Sequence, residues 1–229
     1  MIQSTRSGIT GLDELIGGGF PNNTITLIYG PPKTGKSIFC YQFLQQAITD
    51  DEYCLYVMTD YNLSQLEETM MYFKWFIHDY FTKKQLYVMD IASGSVGAVQ
   101  KETASFKISS PQNPTEIISE IIEELQSIYQ KTHTFRSILD SATTLFAYNS
   151  PILMIRVLKS YTMRIKLAGS TGIIIYTEGV VDSQIETMLK ATVDNIVHMD
   201  GKKITVEAMM GCDHVSANYK ITDKGIIII

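Results

Sequence analysis

Short apolar runs alternate along the chain with longer stretches that have helical spacing. A run of β-branched and other apolar residues without polar alternation is typical of a strand buried on both faces of a sheet. Such runs predict five strands, at residues 24–29, 53–58, 85–89, 135–140 and 172–176. The stretches between them lack this pattern and predict the helices that connect parallel strands.

Four helices are predicted from their spacing and their end residues. Asn113, Pro114 and Glu116 form a typical start, with an N-cap, Pro at the first position and an acid in the first turn. Ser64 and Glu67 have the spacing of a capping box. The predicted helices cover residues 36–49, 64–83, 114–131 and 151–168.

The end of the chain has a different pattern. Short β segments at 193–199, 203–209 and 218–229 are joined by turns at 200–201 and 223–225, which predicts antiparallel strands. Residues 92–112 are rich in Ser, Gly and Ala and predict a long loop. The fold class is therefore α/β: a mostly parallel twisted sheet with helices on both faces and C-terminal antiparallel strands. With no internal repeat, residues 1–229 are expected to form a single domain.

Composition narrows the classes of protein. Apolar residues make up 45% and charged residues 19% of 229 residues, which is typical of a globular protein. A net charge of −5 argues against broad nucleic-acid binding, although a local basic patch remains compatible with it. No run of 18 apolar residues occurs, and the start lacks a signal-peptide core, so no membrane association is expected. Cys40, Cys54 and Cys212 lie among apolar neighbours and predict buried thiols in a reducing cytoplasm.

The most informative motif follows the first predicted strand. Residues 30–37, GPPKTGKS, match G-x-x-x-x-G-K-[ST], the Walker A loop whose backbone N–H groups wrap nucleotide phosphates. Strand, loop and helix follow one another here, which aims a helix N-terminus at an anion. The predicted nucleotide-binding residues are Gly30, Pro31, Pro32, Lys33, Thr34, Gly35, Lys36, Ser37 and Ile38.

Lys36 is expected to contribute to catalysis as well as to phosphate binding, and two further side chains are expected to bind magnesium. Lys36 supplies a charge for the β- and γ-phosphates and is also a catalytic candidate, and Ser37 supplies a hydroxyl for Mg²⁺. Asp140 ends the strand 135–140, as a Walker B carboxylate does, at the sheet edge where ligands of open α/β folds bind. Ser37 and Asp140 are therefore the predicted magnesium residues.

Several further segments give the chain a family resemblance. It resembles the KaiC-like ATPases of the RecA superfamily, and in particular their single-domain archaeal members, in segments spread over nearly its whole length: 7–21, 30–37, 139–141, 177–178, 193–196, 211–214 and 219–226. The resemblance implies a RecA-like core, ATP with Mg²⁺ as cofactors, and assembly into a ring, such as a hexamer, or a filament. It also implies nucleotide near the subunit interfaces.

Departures from the family pattern concern hydrolysis. Where the family has a Glu-Glu pair that acts on the attacking water, this chain has Asp60-Tyr61. Asp60 is the best candidate for a general base, working directly or through one water, whereas Tyr61 cannot replace a carboxylate at neutral pH. Lys33 replaces the usual Gly of the loop, and either contacts phosphate or points to solvent.

The trans-acting cations of the family are also missing. Its Lys-Met-Arg reaches a neighbouring subunit's γ-phosphate, and the matching residues here are Ala208, Met209 and Met210. An arginine finger is worth about 10³–10⁵ in rate, so slow hydrolysis is expected unless another cation substitutes. The candidates are Lys202, Lys203 and Lys220.

These patterns favour an ATP-binding regulatory or assembly factor with an unidentified protein partner and weak ATPase activity. The alternative is a DNA-stimulated ATPase of the recombinase-paralogue type, which acts in DNA repair. Such proteins bind single-stranded DNA with a loop near the ring axis. The matching segment here, residues 179–190, has Lys190 as its one cation and no aromatic residue, which gives nucleic-acid binding little support.

Overall fold

The computed structural model describes residues 3–95, 103 and 105–229. Within these ranges the chain forms a two-stranded and a ten-stranded sheet. The small antiparallel sheet pairs β1 (Ser4–Thr5) with β2 (Phe20–Pro21). The strands of the large sheet are, in chain order, β3 (Ile25–Gly30), β4 (Tyr53–Met58), β5 (Leu86–Asp90), β6 (Phe106–Ile108), β7 (Phe135–Asp140), β8 (Ser170–Thr177), β9 (Asn195–Met199), β10 (Lys203–Ala208), β11 (Val215–Thr222) and β12 (Gly225–Ile228).

Helices cover both faces of the large sheet. In the described ranges they are α1 (Leu12–Leu15), α2 (Lys36–Thr49), α3 (Leu63–Tyr72), α4 (His78–Thr82), α5 (Ile91–Ser95), α6 (Pro114–Tyr129), α7 (Ala142–Tyr148), α8 (Pro151–Leu167) and α9 (Ser183–Lys190). Among the residues that the structure describes, no helix has the length and apolar character needed to cross a membrane.

The predicted fold class is confirmed by the strand order. The large sheet runs β12-β11-β10-β9-β3-β8-β7-β4-β5-β6, parallel from β9 to β6 and antiparallel from β9 to β12. Two apolar layers fill the space between the sheet and its helices. Ile28 of β3 packs in the layer that contains Phe39 and Phe43 of α2, and its neighbour Leu27 packs with Leu158 of α8. Strands covered on both faces are therefore apolar at successive positions, as observed.

The predicted helix 64–83 is wrong in its start and its length. Asn62 is the N-cap: its Oδ1 accepts from the Gln65 backbone N–H, and Gln65 Oε1 accepts from the Asn62 N–H, both at 3.0 Å. Ser64 and Glu67 therefore do not form the capping box. Lys74 has a φ of 62°, in the left-handed region, which separates α3 from α4. On either side of Lys74, the rings of Phe73 and Trp75 stack with their centroids 4.8 Å apart.

Short elements account for the other differences. The predicted loop 92–112 contains the end of α5 and all of β6, while residues 96–102 and 104 lie outside the described residues. Helix α7 is absent from the sequence prediction, and the predicted loop 179–190 contains α9. Short helices have few residues over which a period of 3.6 can be recognised.

The prediction of buried cysteines is confirmed for two of the three. Cys40 and Cys54 are buried, whereas Cys212 is half-buried; all three are free thiols.

A buried arginine connects the elements beneath the site. Arg136 of β7 is 1% exposed and donates to Glu52 Oε2 at 2.6 Å, to Asp50 Oδ2 at 2.7 Å and to the Arg6 carbonyl at 2.6 Å. Full pairing is what makes a charge tolerable at this depth. The network ties β7 to the end of α2 and to the N-terminal segment, and so fixes the strand that carries Asp140.

Candidate nucleotide and metal site

The Walker A loop connects β3 to α2 and curls around its own lysine. Lys36 is buried, and its ammonium donates to the carbonyl of Gly30 at 2.9 Å and to that of Pro31 at 2.5 Å. Burial lowers the Lys36 pKa, while the charges of Glu178 and Asp140 act to raise it. A buried cation satisfied by loop carbonyls is available to an anion that enters the loop.

Two glycines allow this loop to form. A Cβ on Gly30, at φ 147°, would lie 2.1 Å from the Met199 carbonyl oxygen, and one on Gly35, at φ 97°, 2.7 Å from Ile221 Cδ1. Both positions combine a left-handed backbone with a close neighbour, which only glycine tolerates. Lys33, by contrast, is exposed at a φ of 63°, a conformation in which the usual glycine would be unstrained.

The two predicted magnesium residues meet at this edge of the sheet. Ser37 Oγ donates to Asp140 Oδ1 at 3.3 Å, and the Asp140 side chain is 1% exposed at the end of β7. A hydroxyl and a carboxylate are the hard oxygen donors that Mg²⁺ prefers. The donor set therefore fits the cofactor that the sequence predicts.

Burial strongly perturbs Asp140. Loss of hydration raises the pKa of its carboxyl to about 7, and the nearby Asp60 charge acts in the same direction. Hydrogen bonds from Tyr61, Tyr56 and Ser37 oppose the shift because they stabilise the ionised form. A bound divalent cation would add positive charge at the same place and favour the carboxylate.

An open cavity of about 330 Å³ joins these groups. It lies between the loop and the carboxyl ends of β4, β7 and β8, where the ligands of open α/β sheets bind. Most predicted site residues line it. Gly30, Pro31 and Thr34 do not: the carbonyls of Gly30 and Pro31 accept from Lys36, and the Thr34 hydroxyl donates to the Pro31 carbonyl. The lining residues are Pro32, Lys33, Gly35, Lys36, Ser37, Ile38, Asp60, Asp140, Ser141, Ile175, Thr177 and Ile221.

Asp60 follows β4 and lines the cavity, and both of its carboxylate oxygens accept hydrogen bonds from other residues of the protein. Its Oδ2 accepts from Ser141 Oγ at 2.9 Å, and its Oδ1 accepts from the Thr144 hydroxyl. Asp60 is exposed, so unlike Asp140 it remains hydrated. Both oxygens retain further lone pairs, and a carboxylate in this arrangement can accept a proton from a nearby water.

Tyr56 and Tyr61 were not predicted as site residues. The Tyr61 hydroxyl donates to Asp140 Oδ2, and the Tyr56 hydroxyl lies 3.2 Å from that oxygen and 2.7 Å from the Tyr61 hydroxyl. Burial raises the pKa of both phenols well above the ordinary value, so both remain protonated donors. The one signal in the sequence was Tyr61 in place of a carboxylate after Asp60.

Thr177 and Glu178, which form the family-like segment 177–178, differ in their relation to the cavity. Thr177 lines it, and its backbone N–H donates to Thr143 Oγ1 at 2.9 Å. Glu178 is not a lining residue; its carboxylate lies 3.2 Å from His198 Nε2, and its backbone N–H donates to the Gly30 carbonyl at 3.2 Å. Glu178 therefore contacts the loop from behind, through backbone.

The end of β10 and its connection to β11 carry the positions that lack the family's cations. Ala208 and Met210 are exposed, and Met210 is 61% exposed. Neither residue lines the cavity of its own chain. The three lysines that are candidates to substitute for them, Lys202, Lys203 and Lys220, are also exposed.

Comparison with known proteins decides the family. A model of the KaiC ATPase family matches residues 5–229. The chain belongs to the KaiC ATPase family. The resemblance inferred from the sequence is thereby confirmed, and ATP is the nucleotide that this membership supports, usually together with Mg²⁺.

Relatives and solved structures agree with that assignment. The chain is 27% identical over 239 residues to a UPF0273 protein of Pyrococcus furiosus, covering 100% of this chain and 94% of that protein. It is 26% identical over 240 residues to a UPF0273 protein of Thermotoga maritima, with 100% and 96% covered. A crystal structure of a KaiC-like protein from Pyrococcus horikoshii superposes with a TM-score of 0.75 at 20% identity and covers 100% of both chains. The fold is therefore RecA-like.

Proposed function

We propose that this KaiC-family chain acts as a single domain that holds MgATP, hydrolyses it slowly and works as a nucleotide-dependent regulatory or assembly factor. The observation that carries the proposal is an asymmetry within the site. The groups suited to binding converge on one cavity, with Lys36, Ser37 and Asp140 within its lining. The groups suited to hydrolysis are reduced to Asp60, because the connection between β10 and β11 lacks the expected cations.

Binding follows from the charges and donors of the loop. Lys36 and the backbone N–H groups at the start of α2 would hold the phosphates, because an ammonium and a helix N-terminus both attract anions. Ser37 and Asp140 would hold Mg²⁺, which when bound neutralises charge on the β- and γ-phosphates. Asp60 would orient water at the cavity rim, close to Ser141.

Slow turnover follows from what the chain lacks. Asp60 is one methylene shorter than the family's glutamate and already accepts from Ser141 and Thr144. Positions 208 and 210 carry a methyl group and a thioether, neither of which can stabilise a developing phosphoryl charge. A site that binds ATP without rapid hydrolysis suits a switch whose ATP-bound form persists.

Assembly is the expected output of this switch. KaiC-like proteins often form rings, and we propose that ATP favours a ring, such as a hexamer, or a filament of this chain, which then engages a protein partner. Support for the DNA-stimulated alternative is weaker. The cation of the segment 179–190, Lys190, lies at the end of α9, where its ammonium donates to the Tyr29 hydroxyl at 2.7 Å and to Glu207 at 3.2 Å.

The test combines ATP affinity, steady-state hydrolysis and sedimentation of the same protein with Mg²⁺. We expect tight ATP binding, an ATP-dependent rise in mass, and turnover well below the roughly one per second that is the lower end for typical enzymes. Lys36→Ala should weaken ATP binding on the order of 30-fold or more, because it removes a charge-assisted contact. Lys83→Ala, at an exposed lysine after α4, is the matched control.

Three results would contradict the proposal in different ways. Turnover near or above about one per second, abolished in Lys36→Ala, would show a working enzyme. Stimulation of that turnover by single-stranded DNA would favour the recombinase-paralogue function. Equal ATP affinity of wild type and Lys36→Ala would remove the loop as the binding site.

A further inference from the structure

The carboxylate of Asp140 is divided between two kinds of partner. Its Oδ1 accepts from Ser37 Oγ at 3.3 Å, on the side of the Walker A loop. Its Oδ2 accepts from the Tyr61 hydroxyl and lies 3.2 Å from the Tyr56 hydroxyl. One oxygen therefore faces the predicted metal site, and the other is held by phenols.

The number of hydroxyl hydrogens on Tyr56 and Tyr61 shows which of the two contributes more to holding Asp140. Each tyrosine hydroxyl carries one hydrogen. Tyr56 and Tyr61 lie 2.7 Å apart, oxygen to oxygen, and both approach the same carboxylate oxygen. Two hydrogens cannot fill three contacts at once. Tyr61 donates its hydrogen to Oδ2, so the hydrogen of Tyr56 is divided between Oδ2 and the Tyr61 oxygen.

The surroundings keep Tyr61 in place. Tyr56 is fully buried in β4, and the Tyr61 ring meets the edge of Tyr41 of α2 with centroids 6.0 Å apart and planes at 77°. The preceding residue, Asp60, bonds in another direction, to Ser141 and Thr144. The two consecutive side chains after β4 therefore have different partners: Asp60 bonds to Ser141 and Thr144, and Tyr61 bonds to Asp140.

We propose that Tyr61, supported by Tyr56, is a positioning residue for the metal-binding carboxylate, which commits Oδ2 of Asp140 to the protein and presents Oδ1 alone to Ser37 and the magnesium shell. Magnesium demands near-ideal octahedral geometry and is bound through few carboxylate oxygens. A carboxylate that is held from behind meets this demand without losing rotational freedom on binding. The inference rests on the proposed MgATP site and assigns Tyr61 a metal-positioning role in place of the catalytic role of the family's second glutamate.

The test isolates the contribution of the metal. The affinity for a non-hydrolysable ATP analogue is measured in Mg²⁺ and in EDTA, and the ratio of the two dissociation constants gives the gain from the metal. Tyr61→Phe keeps the ring and removes the hydroxyl. We expect it to lower this ratio about threefold to tenfold, the scale of one hydrogen bond to a positioned group, while the affinity in EDTA stays close to wild type.

Two further variants sharpen the result. Tyr56→Phe should lower the ratio less than Tyr61→Phe, because Tyr56 divides its hydrogen between two acceptors. Tyr72→Phe, at a ring that is 76% exposed, should leave the ratio unchanged. Binding of Mn²⁺ to the protein–analogue complex, followed by its electron paramagnetic resonance signal, should weaken in the same order. A purely structural role would lower thermal stability and both affinities together and leave the ratio as it was.

The outcomes separate this inference from the proposed function. If wild type does not bind the analogue, or binds it equally well in Mg²⁺ and in EDTA, the proposed MgATP site fails. If wild type shows a metal-dependent gain that Tyr61→Phe retains in full, the site stands and the role of Tyr61 is overturned. Should Tyr61→Phe not fold, an unchanged ratio in a folded Tyr56→Phe would overturn the supported arrangement.

Discussion

Asp140 ends β7 and Asp60 follows the neighbouring strand β4, yet the two aspartates lie in opposite environments. β7 and β4 pair in parallel, with Asp140 beside Met58, and both aspartates line the same cavity. Asp140 is buried and surrounded by three hydroxyls, whereas Asp60 is exposed and held by two. The comparison shows that position at the edge of a sheet does not determine what a carboxylate can do. Its hydration and its donors determine that.

Each side of this comparison suits a different task. A buried carboxylate with fixed oxygens can hold a metal shell in one geometry. A hydrated carboxylate with spare lone pairs can exchange protons with water, but its orientation is set by Ser141 and Thr144 at the start of α7. The arrangement therefore supports the proposed magnesium role of Asp140 more strongly than the proposed hydrolytic role of Asp60.

Asp140→Asn should produce the largest effect on binding among the tests of this comparison. The variant removes the charge on the metal side, so the gain in ATP affinity from Mg²⁺ should fall at least about tenfold, the cost of losing a charged partner. Titration of an ATP analogue with and without Mg²⁺ measures it. An undiminished metal-dependent gain would mean that Asp140 is not part of the metal site.

The same variant tests the burial of Asp140 through stability. The folded-state pKa is about 7 against an ordinary 3.8, so the folded state favours the proton and wild type loses stability as pH rises from about 4 to about 7. Asn has no such titration. In urea melts without metal or nucleotide, Asp140→Asn should gain stability relative to wild type across that window. The gain should be on the order of 2–4 kcal/mol above pH 7, and equal pH profiles would contradict it.

Ala208→Lys combined with Met210→Arg should strengthen hydrolysis. The double variant restores cations that reach a neighbouring subunit, so turnover should rise about tenfold or more, but only under conditions where the chain assembles. ATPase assays over a range of protein concentration measure this dependence. A rise that is equal in monomers, or none in a verified assembly, would contradict the proposed origin of slow turnover.

Asp60→Asn should affect hydrolysis without affecting binding. Removing the basic carboxylate should lower the residual turnover about a hundredfold, the lower end of the range for loss of a general base, and leave the ATP dissociation constant within about twofold. Single-turnover hydrolysis beside equilibrium binding separates the two. If ATP affinity falls as much as turnover does, Asp60 contributes to nucleotide binding, and the proposed division of roles between Asp60 and Asp140 is contradicted.

Lys33→Gly should have the smallest effect. Lys33 is exposed at the rim of the cavity, where an ion pair with phosphate would be screened, so the ATP dissociation constant should rise by less than about fivefold. Calorimetric titration beside wild type gives the value. A loss of more than about tenfold would show that the side chain contacts phosphate directly, which is one of the two alternatives drawn from the sequence.

The sequence alone predicted the sheet and the position of its binding edge. Apolar runs located the parallel strands because burial on both faces leaves no polar position, and the family resemblance followed from motifs spread over the chain. Spacing also placed Lys36, Ser37 and Asp140 together, because the carboxyl ends of parallel strands share one edge. These are local properties, read from a residue and its near neighbours.

Only the tertiary structure decided how those residues are held. Nothing in the sequence shows that Arg136, inside an apolar strand, pairs with Asp50 and Glu52, or that Lys74 interrupts a helix. Nor does it show that Tyr61 turns towards Asp140 while Asp60 turns away. Such contacts join residues that are far apart in the chain: Arg136 and Asp50 are separated by 86 positions, and Arg136 and Arg6 by 130. Their energies depend on burial and on donor geometry, which exist only once the chain has folded.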